Sequence, residues 1–371
     1  MPSRPPIASP DEDPNATPIE VSSPPCFMHE VDPGYLGFPD SASQKTEAPI
    51  KSFRTAVTEL FGIRHPILLA PMGAVSGGAL AAAVSQAGGL GLIGPGYLDE
   101  EWIAREFDAA GNAAVGIGFI TWHLAQHPER LTRALARRPS AVMLSFGDAA
   151  PFVDEIRAAG AKLIMQVQTV ADARHAAALG ADLIVAQGGE AGGHGASRGT
   201  LPLTAAVVDA VAPIPVVAAG GIADGRGLAA ALTLGAAGVL VGTRFYATQE
   251  SLGHPAAKAA LVAGEGDSTV RTTVFDVIRR IDWPKPYTGR ALVNQTVRRW
   301  HGREDELVAD IDAQNRSYQA AAAQGDFDTA VLWAGEGVDL IRDVPSARDV
   351  VARMVTEAQA ALARASATCS G

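Results

Sequence analysis

The strongest chemical signal in the sequence is one histidine inside a glycine-rich segment. Residues 187–195 read Gln-Gly-Gly-Glu-Ala-Gly-Gly-His-Gly, with five glycines in nine positions. Because so many glycines weaken a regular element, the pattern favours a loop whose backbone wraps a ligand. An imidazole can act as a base near neutral pH, so His194 is the predicted catalytic residue. Glu190 fits a catalytic acid and an orienting or structural role equally well.

Two further glycine turns have the character of a phosphate site. Ala219-Gly220-Gly221-Ile222 follows one apolar run, and Gly242-Thr243-Arg244-Phe245 follows the next, which ends at Val241. Backbone N–H groups in such turns bind anions, and Thr243 can add a hydroxyl donor. Phosphate binding is therefore predicted here. A weaker turn, Ala70-Pro71-Met72-Gly73, would let a flat ligand approach the backbone.

Two other patterns do not support a site. Residues 89–94 read Gly-Leu-Gly-Leu-Ile-Gly, which has the spacing of a dinucleotide-binding fingerprint but runs into and through a predicted strand. His123 and His127 are four residues apart, without the adjacent glutamate of a zinc motif or a clear third ligand. We therefore expect neither a Rossmann fold nor a metal site.

The elements that must position these residues form a repeat. Eight short, continuous apolar runs have the composition of strands that are buried on both faces. They are Pro66–Ala70, Gly91–Gly94, Val115–Ile120, Ala141–Phe146, Lys162–Val167, Leu183–Ala186, Pro215–Ala219 and Gly238–Val241. Amphipathic, alanine-rich stretches alternate with them and are predicted as helices: Ala79–Gln86, Glu101–Ala110, Pro128–Arg137, Pro151–Ala159, Ala171–Leu179, Thr204–Val211, Gly227–Leu234 and Ala256–Val262.

Eight strand–helix units predict an α/β fold, a (β/α)8 TIM barrel, over residues 51–264. A doubly wound open sheet is the alternative, but it would not usually need eight uniform units. In a TIM barrel, chemistry lies at the C-terminal ends of the strands, where the glycine segments fall.

Residues 265–371 break the repeat and are predicted to form a helical segment packed on the barrel. Residues 1–50 hold 11 of the 24 prolines and are predicted to be a flexible, mostly disordered arm.

Composition narrows the class of protein. The 371 residues are 47% hydrophobic and carry a net charge of −10, which disfavours nucleic acid and anionic membranes as partners. Only Cys26 and Cys369 are present, so neither a disulfide framework nor a cysteine zinc site is expected. Without a long apolar run or a signal-like N-terminus, a cytoplasmic location is predicted.

These motifs together resemble the nitronate monooxygenase family, formerly called 2-nitropropane dioxygenases. The resemblance covers about residues 58–250, in order, through all eight units. It rests on Ala70-Pro71-Met72, Gly189-Glu190-Ala191-Gly192-Gly193-His194, Ala219-Gly220-Gly221-Ile222 and Gly242-Thr243-Arg244-Phe245, a combination specific to this family and its close relatives.

The resemblance implies non-covalently bound FMN. Pro71, Met72 and Gly73 would lie against the isoalloxazine ring, and His194 matches the family's active-site histidine. Gly118 stands where relatives often have Asn, so a side-chain contact there is in doubt. The remaining residues implied to bind the cofactor flank the ring, the ribityl chain or the phosphate: Ala70, Gln166, Gln187, Gly188, Gly193, Ala219, Gly220, Gly221, Val241, Gly242 and Thr243.

The implied reaction is oxidation of a nitronate or nitroalkane by O2 to a carbonyl compound and nitrite. The expected partners are this small-molecule substrate and O2, with a homodimer left open. An FMN-dependent enoyl-thioester or NAD(P)H:quinone reductase is the alternative on the same barrel. A sugar-phosphate isomerase or aldolase is the third hypothesis, but the fifth and sixth strands end without the Lys or carboxylate pair that it usually needs.

Overall fold

A computed structural model describes residues 52–368 of the chain. Eight parallel strands form one sheet. The sheet closes where the Leu69 N–H donates to Leu90 O (2.9 Å) and the Leu90 N–H donates to Ile67 O (3.0 Å). The barrel strands are β1 (Ile67–Leu69), β2 (Gly91–Ile93), β3 (Val115–Ile120), β4 (Ala141–Ser145), β5 (Lys162–Val167), β6 (Leu183–Gln187), β8 (Val216–Ala219) and β9 (Gly238–Val241). Their order in the sheet is β1-β9-β8-β6-β5-β4-β3-β2.

This closed barrel confirms the predicted TIM fold, and all eight predicted strands are present. Alternate residues of each strand enter two different cores. In β4, Val142 and Leu144 pack with the surrounding helices, whereas Ala141 and Met143 join the barrel interior. Because both faces are buried, the strands have no polar face, which is why their sequences are continuous apolar runs.

Helices surround the barrel and close its ends. Val57 of the first helix packs into the interior cluster at the N-terminal end of the barrel. Up to the last barrel strand the helices are α1 (Ala56–Phe61), α2 (Gly78–Gln86), α3 (Glu100–Ala110), α4 (Thr121–Leu124), α5 (Glu129–Leu135), α6 (Val153–Ala158), α7 (Val170–Ala178), α8 (Thr200–Val211) and α9 (Gly225–Thr233). After it come α10 (Thr243–Tyr246), α11 (Pro255–Val262), α12 (Val274–Arg279), α13 (Gln295–Trp300), α14 (Glu304–Ala309), α15 (Ile311–Gln324) and α16 (Ala347–Thr368).

The last helix of the chain completes the outer ring. α16 packs against α9 and also contacts α2, which places it between the seventh and first barrel helices. The predicted eighth helix exists as α11, but the ring position belongs to α16. The residues between α10 and α16 therefore form an insertion after β9, which we call the β9 insertion (residues 247–346). The predicted domain division at residue 264 stays a prediction.

The β9 insertion differs from the predicted helical segment because it also contains strands. β10 (Thr269–Thr272), β11 (Thr288–Leu292) and β7 (Gly193–Gly195) form an antiparallel sheet in the order β10-β11-β7. β7 comes from the glycine-rich segment after β6, and in its register His194 lies opposite Gly289. This sheet ties the predicted catalytic loop to the insertion.

Two predictions concern residues outside the described part of the chain. The proposed N-terminal arm (1–50) and both cysteines lie there. Within residues 52–368, no helix combines the length and apolarity needed to cross a bilayer.

Candidate active site

A cavity of about 410 Å³ opens at the C-terminal ends of the barrel strands. This volume is in the range of pockets that hold small molecules and cofactors. Most of the predicted site residues line it: Ala70, Pro71, Met72, Gly73, Gly118, Gln166, Gln187, Gly193, His194, Ala219, Gly220, Gly221, Gly242 and Thr243. Residues from six of the eight barrel strands or the turns that follow them (β1, β3, β5, β6, β8 and β9) thus meet in one place, as the barrel topology requires.

Two predicted cofactor-binding residues, Gly188 and Val241, do not line the cavity. Val241 belongs to β9, is buried, and packs into the core between strands and helices. Gly188 faces Thr200 instead, where an added Cβ would lie 2.1 Å from the Thr200 hydroxyl. Its N–H donates to Ala219 O (2.8 Å) and joins the two loops. Both residues therefore support neighbours that line the site.

Gly118, within β3, packs against Pro71 too closely to carry a side chain. A Cβ built on Gly118 would lie 2.3 Å from Cγ of Pro71. Contacts this short do not occur between real atoms, so a side chain fits only if Pro71 moves. The Pro71 ring occupies the space that a side chain at position 118 would need.

The turns after β8 and β9 have the geometry of an anion site. Gly220 and Gly221 have φ angles of 110° and 70°, values that favour glycine. Within the described residues, no acceptor is found for the backbone N–H groups of Gly220, Gly221 and Thr243. The Thr243 hydroxyl accepts from the Gly335 N–H (3.0 Å), and its own hydrogen remains available for donation. Unpaired N–H groups beside a cavity suit a phosphate.

A buried carboxylate, which sequence reasoning missed, holds His194. The Nε2 atom lies 2.9 and 3.0 Å from the two carboxylate oxygens of Asp276, on α12. Since an ionised carboxylate only accepts hydrogen bonds, Nε2 carries the proton. Nδ1 of His194 makes no hydrogen bond within residues 52–368, and the ring lines the cavity. Nδ1 is therefore the imidazole atom that can take a proton from a ligand.

Burial lowers the pKa of His194 below its ordinary value of 6.5. Desolvation is the largest cause, and the nearby cations Arg279 and Arg271 act in the same direction, while the bond to Asp276 opposes them. Trp283 covers one face of the imidazole, with ring centroids 3.5 Å apart and planes at 7°. His194 is thus a neutral base at neutral pH, despite its ion-pair-like distance to Asp276.

Aromatic residues form the wall of the cavity beside His194. Trp283 donates from Nε1 to the hydroxyl of Tyr97 (2.8 Å) and packs edge-on against Phe146. Trp333 approaches His194 from another side, with a centroid distance of 5.1 Å. The sequence feature that could have indicated this wall is the Trp-Pro-Lys-Pro-Tyr run at 283–287, which lies beyond the strand–helix repeat and contains Trp283.

Side-chain amides connect the ends of β5 and β6 to the glycine-rich segment that carries His194. The Gln187 Oε1 accepts from Nε2 of Gln166 (3.1 Å) and from Nε2 of Gln168 (2.8 Å). The Gln187 Nε2 donates to the backbone oxygen of His194 (3.1 Å). These hydrogen bonds orient the amides that face the cavity and fix the backbone of β7.

Two arginines from the β9 insertion hold the rest of the loop. Arg271 donates to the carbonyls of Gly189 (3.0 Å) and Gly195 (3.1 Å), and Arg290 also donates to Gly189 O (2.9 Å). Burial, then the neighbouring Arg290, lowers the pKa of Arg271 to about 10, so it stays charged at neutral pH. The glycine-rich segment is held by bonds to its carbonyl oxygens.

Of the two roles predicted for Glu190, its contacts fit the structural one. Its carboxylate accepts from the N–H (2.8 Å) and the hydroxyl (2.7 Å) of Thr200, at the N-terminal end of α8. A carboxylate there satisfies orphan N–H groups and the helix dipole. Glu190 does not line the cavity.

The two motifs set aside from the sequence also lie outside the site. β2 runs through residues 91–93, so the glycine fingerprint lacks its strand–turn–helix context. His123 accepts from Arg130 Nη1 (2.8 Å), a cation that opposes a metal ion. In the described part of the chain, no three His, Cys, Asp or Glu side chains are grouped to hold a metal.

Comparison with known proteins agrees with this geometry. Residues 54–116 and 109–357 match the family described as nitronate monooxygenase. Nitronate monooxygenase npaC of Metarhizium robertsii is 35% identical, with 80% of this chain and 91% of that protein covered. A Rhodococcus jostii protein named as a dehydrogenase of a hydroxy-methyl-oxo-octahydroindene carboxyl-CoA is 30% identical, with 83% and 97% covered.

Solved structures show the same fold. FabK from Thermotoga maritima superposes with a TM-score of 0.77 at 30% identity, covering 85% of this chain and all of that one. Nitroalkane oxidase from Streptomyces ansochromogenes gives a TM-score of 0.71 at 30% identity, covering 84% and 99%.

Proposed function

Because this chain belongs to the nitronate monooxygenase family, we propose that it binds FMN and oxidises nitronates with O2 to carbonyl compounds and nitrite. Nitroalkanes enter the same reaction after loss of the α-proton. The chain is an oxidoreductase that acts on a small molecule. The observation that carries the proposal is the His194 ring, held through Nε2 and free at Nδ1, in the cavity that the glycine turns line.

The residues present fit FMN. The unpaired N–H groups of Gly220, Gly221 and Thr243 would hold the phosphate, and Met72 and Gln166 would lie along the flavin ring. When bound, FMN would supply the electron transfer from substrate to O2. The protein's part is to bind, orient and exclude water, and the aromatic wall beside His194 serves the last of these.

The chain's own chemistry in this proposal is proton transfer. Nδ1 of neutral His194 takes the α-proton of a nitroalkane, and Asp276 stabilises the imidazolium that results. Asp276 also fixes the tautomer, since its carboxylate accepts only from Nε2–H. A substrate supplied as a nitronate has already lost that proton and does not need the base.

The variant His194→Asn tests the base. We expect it to retain FMN, to lose at least about 100-fold in kcat/KM with nitroethane, and to keep most of its activity with ethylnitronate. His175→Asn, at an exposed position of α7, is the matched control. Full activity of His194→Asn on nitroethane would exclude His194 as the base.

A second candidate is an FMN-dependent reductase of an enoyl thioester or quinone that takes its electrons from NAD(P)H. The similarity to FabK favours it. Anaerobic titration separates the two: bleaching of the flavin by ethylnitronate supports nitronate oxidation, whereas rapid bleaching by NADPH alone supports the reductase.

The cavity does not support the isomerase or aldolase hypothesis. No Lys, Asp or Glu is found among the described residues that line the cavity. Such enzymes usually need one of these groups at the strand ends, and the family is one of oxidoreductases. The homodimer and the cytoplasmic location stay predictions.

A further inference from the structure

The cavity contains one permanent charge, the guanidinium of Arg279. Its lining includes Arg279 and the neutral base His194, and no carboxylate among the described residues. A cation without an ion-pair partner beside a partly buried cavity attracts a negatively charged ligand. Arg279 is half-buried and lies at the C-terminal end of α12, one turn beyond Asp276.

Arg279 differs from the other arginines near the site because no carboxylate or carbonyl oxygen of residues 52–368 pairs with its guanidinium. Arg244 pairs with Asp343, Arg271 donates to backbone carbonyls, and Arg290 pairs with Glu336. In residues 52–368, the Arg279 guanidinium forms neither a hydrogen bond nor an ion pair with the protein. Asp276, one turn away on α12, forms no ion pair with Arg279, because both of its carboxylate oxygens lie within hydrogen-bond distance of His194 Nε2.

The position of Arg279 places this charge at the reacting end of the cavity. Its guanidinium carbon lies over the Tyr97 ring, 5.6 Å from the centroid, which fixes the group against the aromatic wall. Tyr97 in turn accepts from Trp283, and Trp283 covers His194. The glycine turns with unpaired N–H groups come from other strands, β8 and β9, and offer a separate anion site.

We propose that Arg279 is the anion-binding residue of the substrate site, where its guanidinium binds the two oxygens of a planar anion such as a nitronate or a carboxylate. A guanidinium fork matches a pair of coplanar oxygens by two parallel hydrogen bonds. The neutral base and the cation then have separate tasks: His194 moves the proton, and Arg279 binds the charge that the substrate carries. The inference rests on the proposed function for the identity of the substrate but not for the binding of an anion.

Binding of acetate, measured without turnover, tests this role. Acetate is a planar anion, and acetamide is its neutral isostere. Tryptophan fluorescence of the purified protein, with Trp283 beside the site, is titrated with each at constant ionic strength. We expect acetate to saturate the signal of the unmodified protein, acetamide to bind far more weakly, and Arg279→Gln to weaken acetate binding roughly 10- to 100-fold.

Two further variants make the test specific. Arg279→Lys keeps the charge but not the fork, and should recover part of the affinity. Arg280→Gln removes the same charge from the next residue, an exposed partner of Asp312, and should bind acetate normally. Equal acetate affinity in Arg279→Gln and the unmodified protein, or absence of acetate binding in both, would overturn the proposal, as would an equal loss in Arg280→Gln.

Kinetics and flavin content distinguish this proposal from the proposed function. Arg279→Gln should raise KM for ethylnitronate by the factor found for acetate, with a smaller change in KM for neutral nitroethane. Its FMN content should be unchanged, and loss of FMN would assign the guanidinium to the cofactor and overturn the proposal. A protein that binds acetate through Arg279 but does not oxidise nitronates would disprove the proposed function alone.

Discussion

Replacement of Asp276 by Asn tests how the buried carboxylate acts on His194. Asp276 and His194 have side chains that are only 5% and 8% exposed, so solvent screens their interaction weakly. The amide of Asn is nearly the same size and can still accept from Nε2–H. The change therefore removes the negative charge while it leaves the packing of α12 almost intact.

The size of the effect follows from the distance. The Nε2 atom is 2.9 Å from the nearer carboxylate oxygen, and the centres of the two charges are about 4 Å apart. At an effective dielectric constant of about 20, two unit charges at this separation interact by about 4 kcal/mol. The Asn dipole retains part of this stabilisation of the imidazolium, so we expect a loss of about 2–4 kcal/mol, or roughly 30- to 1000-fold in rate.

The assay compares two substrates that differ by one proton. With nitroethane, His194 must become an imidazolium, so kcat/KM of Asp276→Asn should fall by this factor. With ethylnitronate no proton is removed, and we expect a change of less than about threefold. Asp282→Asn, an exposed carboxylate next to Trp283, controls for the change in net charge and should behave as the unmodified protein.

The pH profile gives an independent check with a defined sign. Activity on nitroethane requires neutral His194, so it rises with pH through the His194 pKa, which lies below 6.5. Asp276 is the group that raises this pKa against the effect of burial. Replacement of Asp276 should therefore move the rising limb of the nitroethane pH profile to lower pH and reduce the activity on its plateau. Equal losses on both substrates, or a limb that moves to higher pH, would refute the role assigned to Asp276.

Two further substitutions probe the two ends of the cavity. Gly220→Ala forces a side chain to φ 110° and places its Cβ 2.8 Å from the Thr200 hydroxyl, so the turn should distort at a cost of about 1–3 kcal/mol and FMN affinity should fall, as measured by flavin fluorescence titration. Gly160→Ala, at φ 74° in open space, should leave FMN affinity unchanged, and equal affinities in both variants would contradict the phosphate assignment. Trp283→Ala exposes His194 to water, so its pKa should rise towards 6.5 and the rising limb of the nitroethane profile should move to higher pH. An unmoved limb would show that Trp283 does not desolvate the base.

The barrel and the glycine turns that line the cavity were predictable because local sequence determines them. Each strand is buried on both faces, which leaves a short apolar run that is visible without any long-range information. The glycine turns at 220–221 and 242–243 follow such runs directly, and barrel topology brings all strand ends to one rim. Position along the chain was therefore enough to group these residues.

The acidic partner of His194 was not predictable, because the contact spans the chain. Asp276 lies 82 residues beyond His194, on a helix whose sequence carries no motif.

The helix that completes the outer ring was missed for a related reason. α11 and α16 are both apolar on one face, and only packing against α9 and α2 decides which of them completes the ring. Sequence order favoured the nearer helix, and tertiary contacts selected the farther one.

The barrel and the β9 insertion supply different parts of the site. The barrel supplies the turns that suit a phosphate, whereas one helix of the β9 insertion, α12, supplies both Asp276 and Arg279. The insertion also supplies Trp283, so the base, its pKa and the charge of the cavity depend on contacts outside the barrel. Substitutions confined to α12 would therefore change the proposed partner of the base and the proposed anion-binding residue, while every glycine that lines the cavity stays in place. Similarity of the barrel to FabK and to nitroalkane oxidase is therefore weaker evidence about the substrate than the identity of the residues at positions 276 and 279.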